Sequence, residues 1–311
     1  MKKLISIVIS IYNEEDVLDE LKSRLQKTTA GIKNYDFEMI MVDHGSFDTS
    51  FEKLLRYHEE DKRFKILQLS RNFGCKDDGI SAGLKYANGD ATVLMDADLQ
   101  DPPELITQFL QKWEEGYKIV YGRINKREGV SFIRRALSSL FYKIINQLTN
   151  KVIPRNASDF RLIDKKVYTV INRMEEKNKF VRGLIAWTGF KQIGVPFKRP
   201  PRFAGDTKAG FSIMTKVALN GILSFSYFPL KLATILGFIL FMGSFIIFFL
   251  YIIFYFIYGR VVPGFTTIIL VFSSLFGMLF FLLGIIGAYI ARIYEEVKQR
   301  PSFIVKDEIG F

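Results

Sequence analysis

The sequence contains a single cysteine, Cys75, among its 311 residues, so the chain has no second thiol for an internal disulfide. A lone thiol fits a protein of a reducing compartment. The chain also lacks internal repeats and low-complexity tracts. No signal peptide is evident, because the N-terminal letters MKKLISIVIS run directly into polar YNEED. We therefore expect the N-terminal region to stay in the cytoplasm.

Charge is absent from two long stretches near the C-terminus. Residues 232–258 and 265–291 contain no Asp, Glu, Lys or Arg. Each is longer than the roughly 20 residues with which a helix crosses a bilayer. The turn GRVVPG lies between them. The sequence therefore predicts two transmembrane helices within residues 229–292, joined as a hairpin.

Basic residues flank this hairpin at both outer ends: Lys216, Lys231, Arg292, Lys298 and Arg300. Arg260 in the turn is the exception. The positive-inside rule then places residues 1–208 and a C-terminal tail, 293–311, in the cytoplasm. The predicted location is the inner (cytoplasmic) membrane, which the chain crosses twice. The formal net charge of +11 suits anionic lipid head groups, so we expect membrane lipids and no nucleic acid among the partners.

The first hundred residues alternate between short apolar runs and helical patterns. The runs of strand length are 4–10, 37–42, 64–69 and 91–96, and the helical patterns are 14–30, 49–60 and 76–88. This alternation predicts an α/β fold with a doubly wound, mainly parallel sheet. In such sheets ligands bind beyond the carboxyl ends of the strands. Polar residues gather at those ends, in YNEE (12–15), DHGS (43–46), SRN (70–72) and DAD (96–98).

The fourth strand ends in two closely spaced carboxylates, Asp96 and Asp98. Hard oxygen ligands at this spacing suit Mg²⁺ or Mn²⁺, which bind through one or two carboxylates together with substrate phosphates. Gln100 could add a carbonyl oxygen. Pro102 and Pro103 predict a turn and the start of a helix. The pattern therefore predicts a divalent-metal site.

Two further segments have helical apolar faces. Residues 131–149 predict either an interfacial helix on the membrane or a helix packed on the domain core, and periodicity does not separate the two. Residues 209–228 predict an amphipathic segment leading into the first span.

The order of several motifs resembles family 2 glycosyltransferases of the polyprenyl-phosphate type, which include bactoprenol glucosyltransferases and dolichyl-phosphate mannose synthases. The motifs are VISIYNEED, VDHGSFDTS, LSRNFG, AGLKYANGD, MDADLQDPPE, SDFRLIDKKV and RFAGDTK, followed by the hairpin and YIARIYEEVKQRP. The resemblance covers essentially the whole chain. It implies a nucleotide-sugar domain of the GT-A type over residues 1–208.

The resemblance also implies an inverting hexosyltransferase with a nucleotide-sugar donor and a lipid-phosphate acceptor. We expect UDP-glucose or UDP-N-acetylglucosamine and undecaprenyl phosphate. The acceptor phosphate is ionised near neutral pH and needs no strong general base. The harder task is to hold two anions in line, which calls for cations. A separate flippase and a downstream transferase would then use the product, and homo-oligomeric assembly is expected from the relatives.

The expected site residues follow from these motifs. The donor is assigned to Tyr12, Asn13, Glu14, Asp43, His44, Ser46, Asp96 and Arg123; the metal to Asp96, Asp98 and Gln100; the acceptor phosphate to Arg202 and Lys208; and catalysis to Asp98, Asp159 and Arg161. Asp159 would orient the acceptor or take up a proton, and its structural alternative is a helix cap. For Arg123 the alternative is a solvated surface charge.

Two stretches depart from the family pattern. His44 stands where relatives have an acidic residue that accepts a hydrogen bond from the donor base, and a neutral imidazole offers only one acceptor nitrogen. Asp77 and Asp78 either favour a helix dipole or repel a diphosphate. Two other functions stay open. A processive polysaccharide synthase usually carries Gln-x-x-Arg-Trp, where this chain has KFVRGLIAW. A pseudoenzyme would bind donor or partner subunits without turnover.

Overall fold

The computed structural model describes residues 2–74, 76–126, 154, 156–177, 179–200, 203, 228–258 and 264–311. The chain divides into two compact units, Phe225–Arg300, here called the helix unit, and the remainder, here called the sheet unit. The predicted segment 131–149, nearly all of 209–228, Arg202 and Lys208 lie outside the described residues.

One eight-stranded sheet organises the sheet unit. Its strands are β1 Lys3–Ile11, β2 Tyr35–Asp43, β3 Phe64–Leu69, β4 Ala91–Asp96, β5 Ile119–Lys126, β6 Ala157–Asp164, β7 Gln192–Lys198 and β8 Val305–Ile309. The order across the sheet is β7-β5-β6-β4-β1-β2-β3-β8. The four strands predicted from apolar runs are all present. The order reverses between β1 and β4, which is the switch point where such folds bind ligands.

The described helices of the sheet unit are α1 Glu15–Gly31, α2 Ser50–Glu60, α3 Lys76–Tyr86, α4 Ile106–Glu114, α5 Lys165–Asn172 and α6 Val181–Trp187. The first three match the predicted patterns to within two residues at each end. Pro103 begins a short 3₁₀ turn, Pro103–Leu105, ahead of α4. Consecutive side chains of a strand point to opposite faces of the sheet, so Ile7 and Val8 of β1 are fully buried in two different clusters, each covered by helices.

The sheet is mainly parallel, as predicted, with two exceptions. Neighbours β1, β2, β3 and β4 are parallel, and so are β5 and β7. Strand β6 is antiparallel to both β4 and β5, and β8 is antiparallel to β3. Because β6 runs the other way, its first residues lie at the edge where β4 ends. This reversal brings Asp159 of β6 to the carboxyl end of β4.

The C-terminal segment, residues 293–311, was predicted as a tail and contains a strand. Val305–Ile309 form β8 on the edge of β3. The backbone N–H of Ser70 donates to the carbonyl of Ile304, at 2.9 Å. The last residue, Phe311, packs edge-on against Tyr86, with ring centroids 5.1 Å apart. This segment has three consecutive charged residues, Lys306, Asp307 and Glu308, and no strand pattern of its own. Its pairing partner β3 lies more than two hundred residues away in the chain.

The helix unit consists of α7, Phe228–Tyr258, and α8, Phe265–Val297. Both contain stretches long and apolar enough to cross a membrane, Leu230–Ile247 and Leu275–Val297. Hardly any residue of these stretches is buried, so neither is the core helix of a soluble domain. Helix α8 continues past the predicted end at residue 291. These exposed apolar helices identify a membrane-associated protein.

Candidate active site

Two loops at the carboxyl edge of β1 and β2 are joined by hydrogen bonds. The backbone N–H of Asn13 donates to Ser46 Oγ at 3.0 Å, and the N–H of Phe47 donates to Asn13 Oδ1 at 3.0 Å. The N–H of Glu14 donates to Ser50 Oγ at 3.0 Å. Asn13 has a φ of 52°, a left-handed conformation that asparagine tolerates better than most residues. Predicted donor residues Asn13, Glu14 and Ser46 are thus held in one rigid pair of loops.

Asp43 and His44 lie beneath these loops. Asp43 is fully buried and its Oδ1 accepts the N–H of Ser46 at 3.1 Å. Burial raises the pKa of Asp43, while the hydrogen bonds from Ser46 act in the opposite direction. Asp43 therefore fixes the loop from below.

The placement of His44 argues against the expected contact with a donor base. Its side chain is 2% exposed, and a Cβ added to Gly79 of α3 would lie 1.7 Å from its Nε2. The ring therefore packs against α3 beneath the site and offers no accessible atom to a nucleotide. Burial lowers its pKa to about 4, so the imidazole is neutral at physiological pH. Only a residue without a side chain, Gly79, leaves room for this ring.

The fourth strand ends in the predicted acidic loop. Asp96 is its last residue, and Asp98 Oδ1 accepts the N–H of Gln100 at 3.2 Å. Between them and the prolines, Leu99 is 2% exposed and has a φ of 57°. A buried leucine in the left-handed region is strained, and such strain concentrates at functional sites. The amide of Gln100 donates to the carbonyl of Pro200 at 3.4 Å.

Asp159 of β6 and Asp96 of β4 both form ion pairs with Lys76. Lys76 Nζ lies 3.2 and 3.1 Å from the two carboxylate oxygens of Asp96 and 2.5 Å from Asp159 Oδ2. Arg182 Nη1 lies 3.2 Å from Asp159 Oδ1. Asp159 lies inside a strand, and the N-cap of the following helix is Asp164, so the helix-cap alternative for Asp159 is wrong.

The charges of this cluster keep Asp159 ionised. Partial loss of hydration acts to raise its pKa, but the positive charges of Arg182, Lys76 and Arg161 outweigh it, and the pKa of Asp159 is lowered. For Lys76 the loss of hydration acts to lower the pKa, but Asp159 and Asp96 raise it. Asp159 therefore carries a negative charge over the whole physiological range, with a cation on each oxygen.

Arg161 has a supporting place in the site. It is 4% exposed and lines the same small cavity as Lys76, Asp96 and Asp159. Its Nη2 donates to the carbonyl of Ser158 at 2.7 Å, and its Nε donates to the carbonyl of Asp159 at 3.2 Å. The guanidinium thus holds the backbone that carries Asp159. Its predicted catalytic role stays a prediction.

Asp101 is a buried acid that the sequence interpretation missed. It is fully buried, and its Oδ1 accepts the hydroxyl of Ser158 at 3.1 Å and lies 3.8 Å from Arg199 Nη2. Burial and the negative charge of Asp96 raise its pKa. Asp101 links the acidic loop to β6 and to the segment after β7. The motif LQDPPE, which contains Asp101, was the feature of the sequence that could have marked this residue as part of the site.

Two cations of the site, Lys76 and Arg182, were not assigned a role from sequence. Lys76 and Asp77 start α3, and burial together with the charge of Asp159 raises the pKa of Asp77 to about 6. Asp78 is also in this first turn and is buried. Both acids thus occupy the helix N-terminus, where a negative charge is favourable. Arg182 stands in α6, within the stretch KFVRGLIAW that was compared with Gln-x-x-Arg-Trp.

The structure brings Asp96, Asp98 and Asp159 to one edge, along with Tyr12, Asn13, Glu14 and Ser46 at the neighbouring strand ends. Arg123 lies exposed on β5, two strands from β4. Within the described residues, no three His, Cys, Asp or Glu side chains converge to hold a metal ion by themselves. Mg²⁺ usually takes one or two carboxylates and completes its shell with water and substrate phosphate. The pair Asp96 and Asp98 therefore fits an ion that is shared with a phosphorylated ligand.

The fold is similar to that of a solved glycosyltransferase, glucosyl-3-phosphoglycerate synthase from Mycobacterium tuberculosis, with a TM-score of 0.50. The similarity covers 72% of this chain and 80% of that chain at 15% sequence identity. At this level the likeness concerns the fold alone. It confirms the predicted fold, which is of the GT-A type.

The sequence relationship is closer. Residues 6–171 match the profile of glycosyl transferase family 2. The chain is 41% identical to the uncharacterized glycosyltransferase YkcC of Bacillus subtilis over 305 residues, 98% of this chain and 94% of that protein. It is 34% identical to the prophage bactoprenol glucosyl transferase homolog of Escherichia coli over 302 residues, 97% of this chain and 98% of that protein. The chain belongs to glycosyl transferase family 2 and is a glycosyltransferase.

Proposed function

We propose that this enzyme transfers glucose from UDP-glucose to undecaprenyl phosphate, with inversion at the sugar carbon. One observation carries the proposal. The chain aligns over nearly its whole length, hairpin included, with proteins named bactoprenol glucosyl transferase from Escherichia coli and from Shigella phage SfV, at 34% identity in both cases. A lipid acceptor also accounts for a soluble sheet domain attached to two apolar helices.

Two charge requirements support this chemistry. The departing nucleoside diphosphate gains negative charge as the sugar leaves, and the attacking phosphate is itself an anion. A divalent ion, Mg²⁺ or Mn²⁺, held by Asp96 and Asp98 with Gln100 nearby, would supply Lewis-acid stabilisation of the diphosphate. Arg202 and Lys208 are proposed to bind the acceptor phosphate.

The acceptor needs positioning more than activation. A phosphate monoester is at least singly ionised near neutral pH, so its oxygen attacks the sugar carbon without prior deprotonation by a strong base. Asp159 is proposed to orient the acceptor or to take the proton of a monoanionic phosphate. Its two bound cations, Lys76 and Arg182, reduce the repulsion between this carboxylate and an incoming anion.

The donor is proposed to bind across the β1 and β2 loops, with its nucleoside next to Tyr12 and its diphosphate toward Asp96. The hydrogen bonds that join Asn13 to Ser46 and Phe47 fix this surface before the donor arrives. Preorganisation of this kind lowers the entropy cost of binding.

The topology of the membrane segment is proposed from the sheet. Strand β8 follows α8 in the chain and pairs with β3, which precedes α7. Two strands of one sheet must lie on the same side of a membrane. Helices α7 and α8 must therefore either both cross the membrane or both stay on one side of it. We propose that both cross it, so that the catalytic edge and the C-terminus lie together in the cytoplasm. A C-terminal green fluorescent protein fusion should fluoresce, and an alkaline phosphatase fusion should be inactive. Active phosphatase would contradict this topology.

The decisive experiment for the reaction uses the purified full chain in detergent. It is incubated with undecaprenyl phosphate and Mg²⁺ or Mn²⁺, and with UDP-glucose, UDP-N-acetylglucosamine or the GDP sugars, and the lipid fraction is analysed by mass spectrometry. We expect a lipid-linked hexose from UDP-glucose. A polymer in place of a lipid monosaccharide would favour a processive synthase, and no product from any donor would favour a binding protein without turnover.

A further inference from the structure

Lys76 contacts Asp96 in a way that the proposed reaction does not use. Its ammonium group lies within 3.2 Å of both carboxylate oxygens of Asp96 and 2.5 Å from Asp159 Oδ2. One oxygen pair of the proposed metal site is thus already in contact with a cation that belongs to the protein.

We propose that Lys76 is a resident counter-cation that a divalent ion must displace from Asp96, and that it keeps the donor-free enzyme from binding this ion tightly. The inference rests on the proposed function, in which Asp96 is one of the protein ligands of the metal. In this role Lys76 would make the metal ion bind together with the donor and not before it.

The argument begins with competition for the same oxygens. An ammonium in contact with both oxygens of a carboxylate takes the positions through which a hard cation would coordinate. A positive charge a few ångströms away also repels a doubly charged ion, and this repulsion is only partly screened at a half-buried site. Both effects weaken metal binding before any substrate is present.

The other side chains near Asp96 do not offset this weakening of metal binding. No three carboxylate or histidine side chains of the described residues converge on one point, so no all-protein cage offsets the presence of Lys76. Two anionic phosphate groups of a nucleoside diphosphate would provide what is missing, namely oxygen ligands and negative charge. The ion is therefore expected to bind together with the donor.

Lys76 can give up Asp96 without leaving the site. Its side chain is 44% exposed and its stem has four rotatable carbons, so a small movement is sterically open. The shorter of its contacts is the one to Asp159. By keeping that contact, Lys76 would continue to neutralise Asp159 while Asp96 turns to the metal.

The test measures Mn²⁺ binding by electron paramagnetic resonance, with the purified full chain in detergent and with neither donor nor lipid present. The Lys76→Met variant should bind Mn²⁺ roughly tenfold more tightly than the unmodified protein, since it loses both the competing contact and the nearby charge. Lys76→Arg keeps the charge and should stay within about a factor of two of the unmodified protein. Lys112→Met, which removes a lysine paired with Glu115 on α4, is the control for net charge and should change nothing.

Each outcome decides the proposal. Equal Mn²⁺ affinity of Lys76→Met and the unmodified protein would overturn it, and so would the same gain in Lys112→Met, or no binding by any of the proteins. Unfolding temperatures are measured in parallel, and Lys76→Gln replaces Lys76→Met if the latter is not folded. Because the assay contains no sugar donor, failure to form a lipid-linked sugar would refute the proposed function and leave the Mn²⁺ result unaffected.

Discussion

The two halves of the candidate site are built in different ways. The half at β1 and β2 consists of Asp43, His44 and the loops above them, which are joined by hydrogen bonds to backbone N–H groups. The half at β4 and β6 consists of Asp96, Asp159 and the cations between them, which are joined by ion pairs. The first half is buried at its base and held by hydrogen bonds, and the second is charged and partly exposed.

This difference corresponds to two separate tasks. A surface that recognises a nucleoside benefits from groups whose geometry is fixed before binding. A surface that carries a reaction between two anions benefits from charges that are already arranged but can exchange partners. The following substitutions test whether the two halves separate in this way, starting with the largest expected effect.

Asp98→Ala should abolish transfer in the charged half. We expect turnover to fall by about a thousandfold or more, because the diphosphate loses the stabilisation of its developing charge. Membrane insertion should be unchanged, as measured by membrane fractionation and extraction. Asp36→Ala, at an exposed position of β2 near the opposite end of that strand, is the control. Unchanged turnover in Asp98→Ala would remove metal-assisted chemistry from the mechanism.

Asp159→Asn should lower kcat by roughly a hundredfold, the scale of a lost acid–base or orienting group. The KM for the sugar donor should change little, since Asp159 is assigned to the acceptor and the nucleoside of the donor to the other half. Asp164→Asn is a matched control on the same strand, because it alters the N-cap of α5 and not the reaction. A variant whose kcat equals that of the unmodified protein would show that Asp159 is not part of the reaction.

His44 should make the unfolding free energy of the protein depend on pH. Its pKa is lowered to about 4 in the folded protein, so between pH 4 and about 6.5 the unfolded chain binds a proton that the folded chain does not. The contribution is present above pH 6.5 and is lost as the pH falls toward 4, by up to about 3 kcal/mol. His44→Leu should show a correspondingly flatter curve of unfolding free energy against pH, measured by urea titration in detergent. Parallel curves for the two proteins would contradict a buried neutral His44.

Gly79→Ala should destabilise the protein by about 1–2 kcal/mol, because the added methyl group would overlap the buried ring of His44 and overpacking outweighs the gain in helix propensity. The penalty should largely disappear in a His44→Ala background, so a double-mutant cycle in unfolding free energy isolates this contact. An equal penalty in both backgrounds would mean that the strain arises elsewhere in α3.

The division between these halves was only partly foreseeable. The Asp-x-Asp at the end of the fourth apolar run predicted the charged half, because strand length and the position of polar residues are local properties. The expected role of His44 was drawn from its place in a motif, and its buried ring changes that reading. Whether a side chain at a strand end points up into a loop or down toward a helix depends on which helix packs there, and a motif does not record this.

Local sequence patterns were enough to predict the alternation of β1 to β4 with α1 to α3, the acidic end of β4 and the two apolar helices. Each of these features depends on periodicity or composition within some twenty residues. Only the tertiary structure placed Asp159 beside Asp96, assigned Lys76 and Arg182 to that pair, buried Asp101 and returned the C-terminus to β3. These contacts join residues up to more than two hundred positions apart. They arise from the reversed direction of β6 and from the edge of β3 on which β8 pairs. A pattern confined to neighbouring residues does not predict either feature.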